Sequence, residues 1–369
     1  MNLARSTQLL LRSQSSGARL LGSSCIPRPC QLRVSRLARW KHIRHQPNQR
    51  HKTPQAQPKT GPQTFEEPNS RAFEDGEEVY INVGAVPKVK YLRPAIFAVV
   101  VSAGFYTFLA YRQAKSEIEP PARREYYRTP SRKEGLPSPI ELATNLWQDM
   151  NPISKVSTGI IGTCAAVHLT KFAAPSYWDS LWHMPARNLD YTLFTSVFVH
   201  SGIWHLGFNM WACYNFLLPT GYSHLFQGNP YHVTAYFLST GVLSAYAQHL
   251  TTMFSKPGTF PPPSIIRSGG ASGALLSFFA VFCMQYPNTG VGIVFVPFSI
   301  AASTMLPLVM AFDAYGMIRG YKTINFGHAA HLSGMLIGVA YSYLDGRSKI
   351  WYPLVSYFRE TLAEARRNR

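Results

Sequence analysis

Seven stretches of the chain are apolar and long enough to predict helices, and they fall into two groups. The first stands alone at 95–111, seventeen residues without a charge, which Tyr91 and Leu92 lengthen if Arg93 snorkels to the headgroups. After a polar interval the others recur at short spacing, at 157–173, 202–220, 231–250, 270–286, 300–318 and 327–344. Several are marginal for a hydrocarbon layer of about 30 Å, which takes roughly 20 helical residues. Several also carry His, Asn, Ser or Asp. The pattern predicts an all-α polytopic membrane protein, locally thin and open to water. A soluble bundle is the alternative, but a connection as apolar as 291–298 is hard to place in one.

Charge divides the chain further. Residues 1–65 hold no Asp or Glu but twelve Lys and Arg, among them Arg5, Arg12, Arg19 and Arg28, which is two-thirds of the net +18. Basic residues interleaved with Leu, Ser and Ala can form a cationic amphipathic helix, so this segment is expected to be a cleavable mitochondrial presequence followed by a basic disordered stretch. The other reading is a basic arm that binds nucleic acid or an anionic membrane face. No aromatic platform or zinc-knuckle spacing supports RNA binding, so no nucleic-acid partner is expected. Residues 66–94 read as a polar linker, 95–111 as an extra transmembrane helix and 112–155 as a Pro-rich extramembrane connection. The core is expected over 156–345, with 346–369 as a C-terminal tail. Lys and Arg flank the first span on both sides, so charge bias leaves its orientation open. None of the five cysteines forms a CxxC pair, and no metal-ligand set stands out.

Three polar groupings in the apolar region could carry chemistry. Ser268, Gly269, Gly270, Ala271, Ser272 and Gly273 follow a Pro-rich loop and lead into an apolar run, as a loop entering a helix would. A serine there sits where backbone N–H groups lack intrahelical partners, so its own amide can face a developing oxyanion. Small residues also pack membrane helices, and Gly273, Ser277 and Ala280 share a helical face, so packing is the competing account.

The second grouping is Gly327 to Gly338, where Gly334 and Gly338 lie at i+3 and i+7 from His331. Such a bare face lets two helices approach until His331 reaches a serine; the competing account is an interhelical hydrogen bond. The third is His200, His205 and Asn209. His205 and Asn209 share a helix face and can donate to an oxyanion. On a regular helix His200 would be turned about 140° away from His205, so only His205 and Asn209 are paired. Asp313 is the one acid inside the last four spans. It could orient His331, though a structural role is preferred.

In order, HxxxxHxxxN, GxSG and AHxxGxxxG at His200/His205/Asn209, Gly270/Ser272/Gly273 and Ala330/His331/Gly334/Gly338 resemble the pattern of the rhomboid family. The presequence, the extra span and Phe312 to Met317 are similar to its mitochondrial, presenilin-associated branch. The resemblance implies a six-helix core preceded by one extra transmembrane helix (1+6), in the mitochondrial inner membrane. It implies an intramembrane serine endopeptidase with Ser272 as nucleophile and His331 as general base. The oxyanion would be held by the Ser272 amide with His205 and Asn209, and His200, Gly270, Gly273, Gly334 and Gly338 would support the site. No cofactor or metal is implied, and Asp313 falls outside the catalytic set. Substrates would be single-span membrane proteins cut in or near their anchors in the lipid bilayer, in some relatives a dynamin-like mitochondrial GTPase. Residues 174–200, with Trp178 and Trp182, resemble the family's membrane-dipping first loop.

Two rivals remain open on the sequence. One is a catalytically inactive relative that only binds membrane proteins, which would be expected to lack the serine or the histidine. The other is a metal-dependent membrane hydrolase or transporter using His200, His205, His328 and His331.

Overall fold

The structure is a computed structural model that describes residues 87–119, 138–255, 259, 261–292, 298–321 and 327–368. The predicted presequence and most of the predicted linker lie outside the described residues, all of which fall in one compact unit, Glu78–Arg369. The unit is mostly helical. Its principal helices are α1 (Leu92–Ile118), α2 (Pro139–Asp149), α3 (Pro152–Ala173), α4 (Ile203–Ala212), α5 (Pro230–Thr251), α6 (Ser272–Gln285), α7 (Ala302–Arg319), α8 (His328–Tyr343) and α9 (Tyr352–Arg367). A two-stranded antiparallel ribbon, β1 (Gly290–Gly292) with β2 (Ser299–Ala301), links α6 to α7.

Several predicted bounds move. The first helix runs past the apolar stretch to Ile118, because Gln113, Lys115 and Glu117 are good helix formers and Gln113 Nε2 donates to Glu117 Oε1 at 2.8 Å. Loss of hydrophobicity ends a membrane span, not a helix. Arg93, in the first turn of α1, pairs with Asp190 and donates to the Asn188 carbonyl at 2.9 Å. The predicted connection 112–155 contains α2, whose Ser138 and Glu141 form a capping box and which buries no residue. The core opens at Pro152, where Asn151 caps Ser154. The predicted tail is the helix α9, held to α1 by Val355, by Phe358 edge-on to Tyr111, and through the preceding Trp351, whose Nε1 donates to Gln113 Oε1 at 2.9 Å.

Among the described residues, α1 alone is both long and apolar enough to cross a membrane by length and composition, and α6 is a shorter apolar helix. Large apolar side chains nonetheless face outward on most helices, including Val100, Phe108, Phe172, Trp204, Leu308 and Leu336. That distribution suits lipid rather than water. The centre of the unit is α6, packed against α4, α5, α7 and α8. Phe278, Leu275 and Val281 of α6 join Phe226, Phe237 and Leu217 in the largest buried cluster. Against α8 the packing is backbone on backbone: a Cβ on Gly334 would run into the Gly273 carbonyl, and one on Gly338 into the Ser277 carbonyl.

Candidate active site

The loop that delivers Ser272 is stitched in place before α6 begins. His183 and Ser268 exchange both backbone hydrogen bonds, at 3.1 and 2.8 Å, and Gly270 N donates to Ser196 O at 2.8 Å. Glycine is needed here. Gly270 has φ +133°, and a Cβ on it would lie 2.9 Å from His205 Nε2; a Cβ on Gly269 would press on the Trp182 ring at 3.0 Å. Ser272 is the first residue of α6, so its amide is among those without an intrahelical acceptor.

Close contact between α6 and α8 brings Ser272 Oγ to 2.8 Å from His331 Nε2. The other ring nitrogen, Nδ1, lies 3.2 Å from Asp313 Oδ1 on α7. A carboxylate only accepts, so Nδ1 carries the proton and Nε2 keeps its lone pair toward the serine. His328, one turn before His331, donates through Nδ1 to the same Asp313 oxygen at 2.6 Å. The helix bearing Asp313 faces α8, and its side chain, 2 % exposed, reaches the back of the imidazole, the place a group orienting His331 would take.

His205 faces the serine from α4. Ser201, through its amide at 3.4 Å and its hydroxyl at 3.1 Å, meets His205 Nδ1. With Nδ1 accepting, Nε2 carries the proton and faces Gly270 as a donor. Asn209 lies one turn on, its Nδ2 donating to His205 O at 2.8 Å. The expected separation of His200 from His205 does not hold, because α4 begins only at Ile203 and His200 lies in the preceding loop; their rings are 5.0 Å apart. His200 is fully buried. Burial and then the neighbouring His205 push it down to about 4, so it is a neutral ring. Its Nδ1 lies 3.3 Å from Phe198 O and its Nε2 3.5 Å from Ala271 N, a placement that supports the serine loop from below.

Ser272, His331, His328, His205 and Asn209 line one cleft of about 1260 Å³, with Trp204, Phe208 and Gln248 also on its walls. Gln248 escaped the sequence reading; its Oε1 accepts from Ala330 N at 3.2 Å and ties α5 to the first turn of α8. A glutamine at a helix end carries no signal for such a task. Ser201 is similar. Asp313 and His328 did carry one, being ionisable residues in apolar stretches. The four histidines of the metal reading do not gather: the one cluster with metal-ligand spacing among the described residues is Asp313, His328 and His331.

A serine at a helix N-terminus is bonded to a histidine across a glycine seam, with His205 facing it, and residues 188–348 match the Rhomboid domain family. The particular relatives are mitochondrial. The chain is 30% identical over 223 residues to the presenilin-associated rhomboid-like protein, mitochondrial, of Rattus norvegicus, covering 58% of this chain and 55% of that one. It is 29% identical to the Homo sapiens protein of the same name, with the same coverage, and 27% identical over 174 residues to rhomboid protein 1, mitochondrial, of Saccharomyces cerevisiae, covering 46% and 47%. The matched region thus spans about half the length of these relatives. The segment is a rhomboid domain similar to the presenilin-associated branch, and the chain is a mitochondrial membrane protein.

Proposed function

We propose that this protein is a serine endopeptidase of the mitochondrial inner membrane, built as six core helices, α3 to α8, with α1 as an additional span. It would cut single-span membrane proteins in or near their anchors, a dynamin-like GTPase being one candidate substrate. The observation that carries the reading is the 2.8 Å hydrogen bond from Ser272 Oγ to His331 Nε2.

In this mechanism His331 Nε2 takes the Ser272 proton as Oγ attacks the peptide carbonyl. The carbonyl oxygen becomes an oxyanion held by the Ser272 amide, the His205 Nε2–H and the Asn209 amide after rotation of its side chain. His331 then returns the proton to the leaving amine, and water entering by the cleft hydrolyses the acyl-enzyme. Asp313 accepts from Nδ1 throughout, which fixes the tautomer and stabilises the imidazolium as it forms. It is a positioning residue, not a proton carrier. A binder without activity would be expected to lack Ser272 or His331, and both are present.

The test is cleavage of a single-span substrate by the purified chain in liposomes, beside Ser272→Ala. Cleavage by the parent and none by the variant is expected. Equal cleavage by both would end the assignment.

A further inference from the structure

Proton transfer at Ser272 needs one imidazole and one carboxylate, yet two imidazoles converge on Asp313. His328 and His331 stand at i and i+3 on α8, and both Nδ1 atoms point at Asp313 Oδ1, at 2.6 and 3.2 Å. One ligand atom from each of the three side chains lies within 4.8 Å of the others. Zinc holds imidazole nitrogen and carboxylate oxygen at about 2.0–2.2 Å, which separates tetrahedral neighbours by roughly 3.3 Å. The edge from Asp313 to His331, at 3.2 Å, already matches that spacing, and the edge to His328, at 2.6 Å, would have to open by about 0.7 Å. Two neutral nitrogens and one oxygen suit a borderline metal such as zinc better than magnesium or calcium, which take all-oxygen shells.

We propose that Asp313, His328 and His331 form a zinc-binding site whose occupation switches the serine off. The inference rests on the proteolytic reading of Ser272 and His331. Zinc bound at Nδ1 of both rings requires each imidazole to carry its single proton on Nε2: on each ring the Nδ1–H bond breaks and an Nε2–H bond forms by exchange with water, with no net proton released, and the two N–H···O contacts to Asp313 give way to the metal. His331 Nε2 then presents N–H to Ser272 Oγ in place of a lone pair. The ring becomes a donor and cannot take the serine proton. The fourth coordination position falls to water, and the metal has a route in, since His328 and His331 both line the cleft.

Two measurements on the full-length chain in detergent test this. The first is binding: Ser272→Ala, which leaves every ligand in place, is titrated with Co²⁺ and its visible absorption followed, then displaced with Zn²⁺. A tetrahedral spectrum at one metal per chain is expected. His328→Gln, which keeps an N–H for Asp313, should weaken binding at least about tenfold, and His328→Cys should restore it with a sulfur charge-transfer band. The second is cleavage by the parent in buffered zinc, expected to fall on saturation, to recover with chelator, and to resist zinc in His328→Gln while keeping its metal-free rate. Metal binding by His328→Gln as tight as by Ser272→Ala, or full cleavage with zinc bound, overturns the site and leaves the protease reading standing. If the parent cleaves nothing, the protease reading fails, and the Co²⁺ spectrum still judges the site.

Discussion

Asp313 grips His331 by the ring nitrogen that faces away from Ser272, at 3.2 Å, and in doing so leaves the near nitrogen free of its proton. Serine and histidine alone could adopt either tautomer; the carboxylate decides between them.

Asp313→Asn tests that decision. An amide can donate as well as accept, so it can hold the wrong tautomer, and the expected result is a fall in kcat of at least about tenfold with KM little altered. A merely structural aspartate would lower the melting temperature and leave the kcat of the folded fraction unchanged.

His205→Ala removes a donor from the place where the oxyanion forms. Losing one such donor typically costs about 3 kcal/mol of transition-state stabilisation, so kcat should drop on the order of 100-fold, without loss of the fold, as read by steady-state cleavage of a reporter substrate. Asn209→Ala should give a loss in the same direction.

Gly270→Ala puts a methyl group against His205 and forces a side chain onto a backbone at φ +133°. The variant should insert and purify but be nearly inactive, and a serine-reactive fluorophosphonate should label Ser272 more slowly than in the parent.

Gly334→Val drives a branched side chain into the Gly273 carbonyl. Overpacking of this kind typically costs about 1–3 kcal/mol, and here it also parts α6 from α8, so thermal stability and cleavage should fall together.

Acid should loosen the loop around His200. The ring titrates near 6.5 when unfolded but is held down to about 4 in the fold. Its contribution is thus complete above about pH 6.5 and declines as pH falls toward 4, by about 1.4 kcal/mol per unit, because the unfolded chain takes up a proton that the fold refuses. Unfolding measured across this range should show a shallower slope in His200→Gln; an identical slope would contradict the assignment.

Much of the candidate site was legible because a loop entering a helix and a glycine-lined helix face both leave their mark on residue spacing. Ser272, His331, Gly334 and Gly338 each admit a packing account taken singly, and it is their combination in order along the chain that points to a site. What could not be read were the contacts between elements distant in sequence. Nothing in the neighbours of Asp313 says which helix it will face, and nothing around Gln248 says that it will cap α8. The position of His200 was misjudged for a different reason: periodicity assumes the helix has begun, and here it begins three residues later. The helix at 352–367 was passed over because its charges concealed an apolar stripe that needs α1 to cover it.

The seam between α6 and α8 has one more implication. Where helices meet through leucines or phenylalanines, side-chain rotation lets the spacing drift; where main chain rests on main chain, nothing in between can yield. The gap between hydroxyl and imidazole is accordingly gauged by main-chain atoms, and it keeps its width only while Gly334 and Gly338 stay bare. On the proposed reading, differences in what the cleft accepts are expected away from this seam, around Trp204 and Phe208.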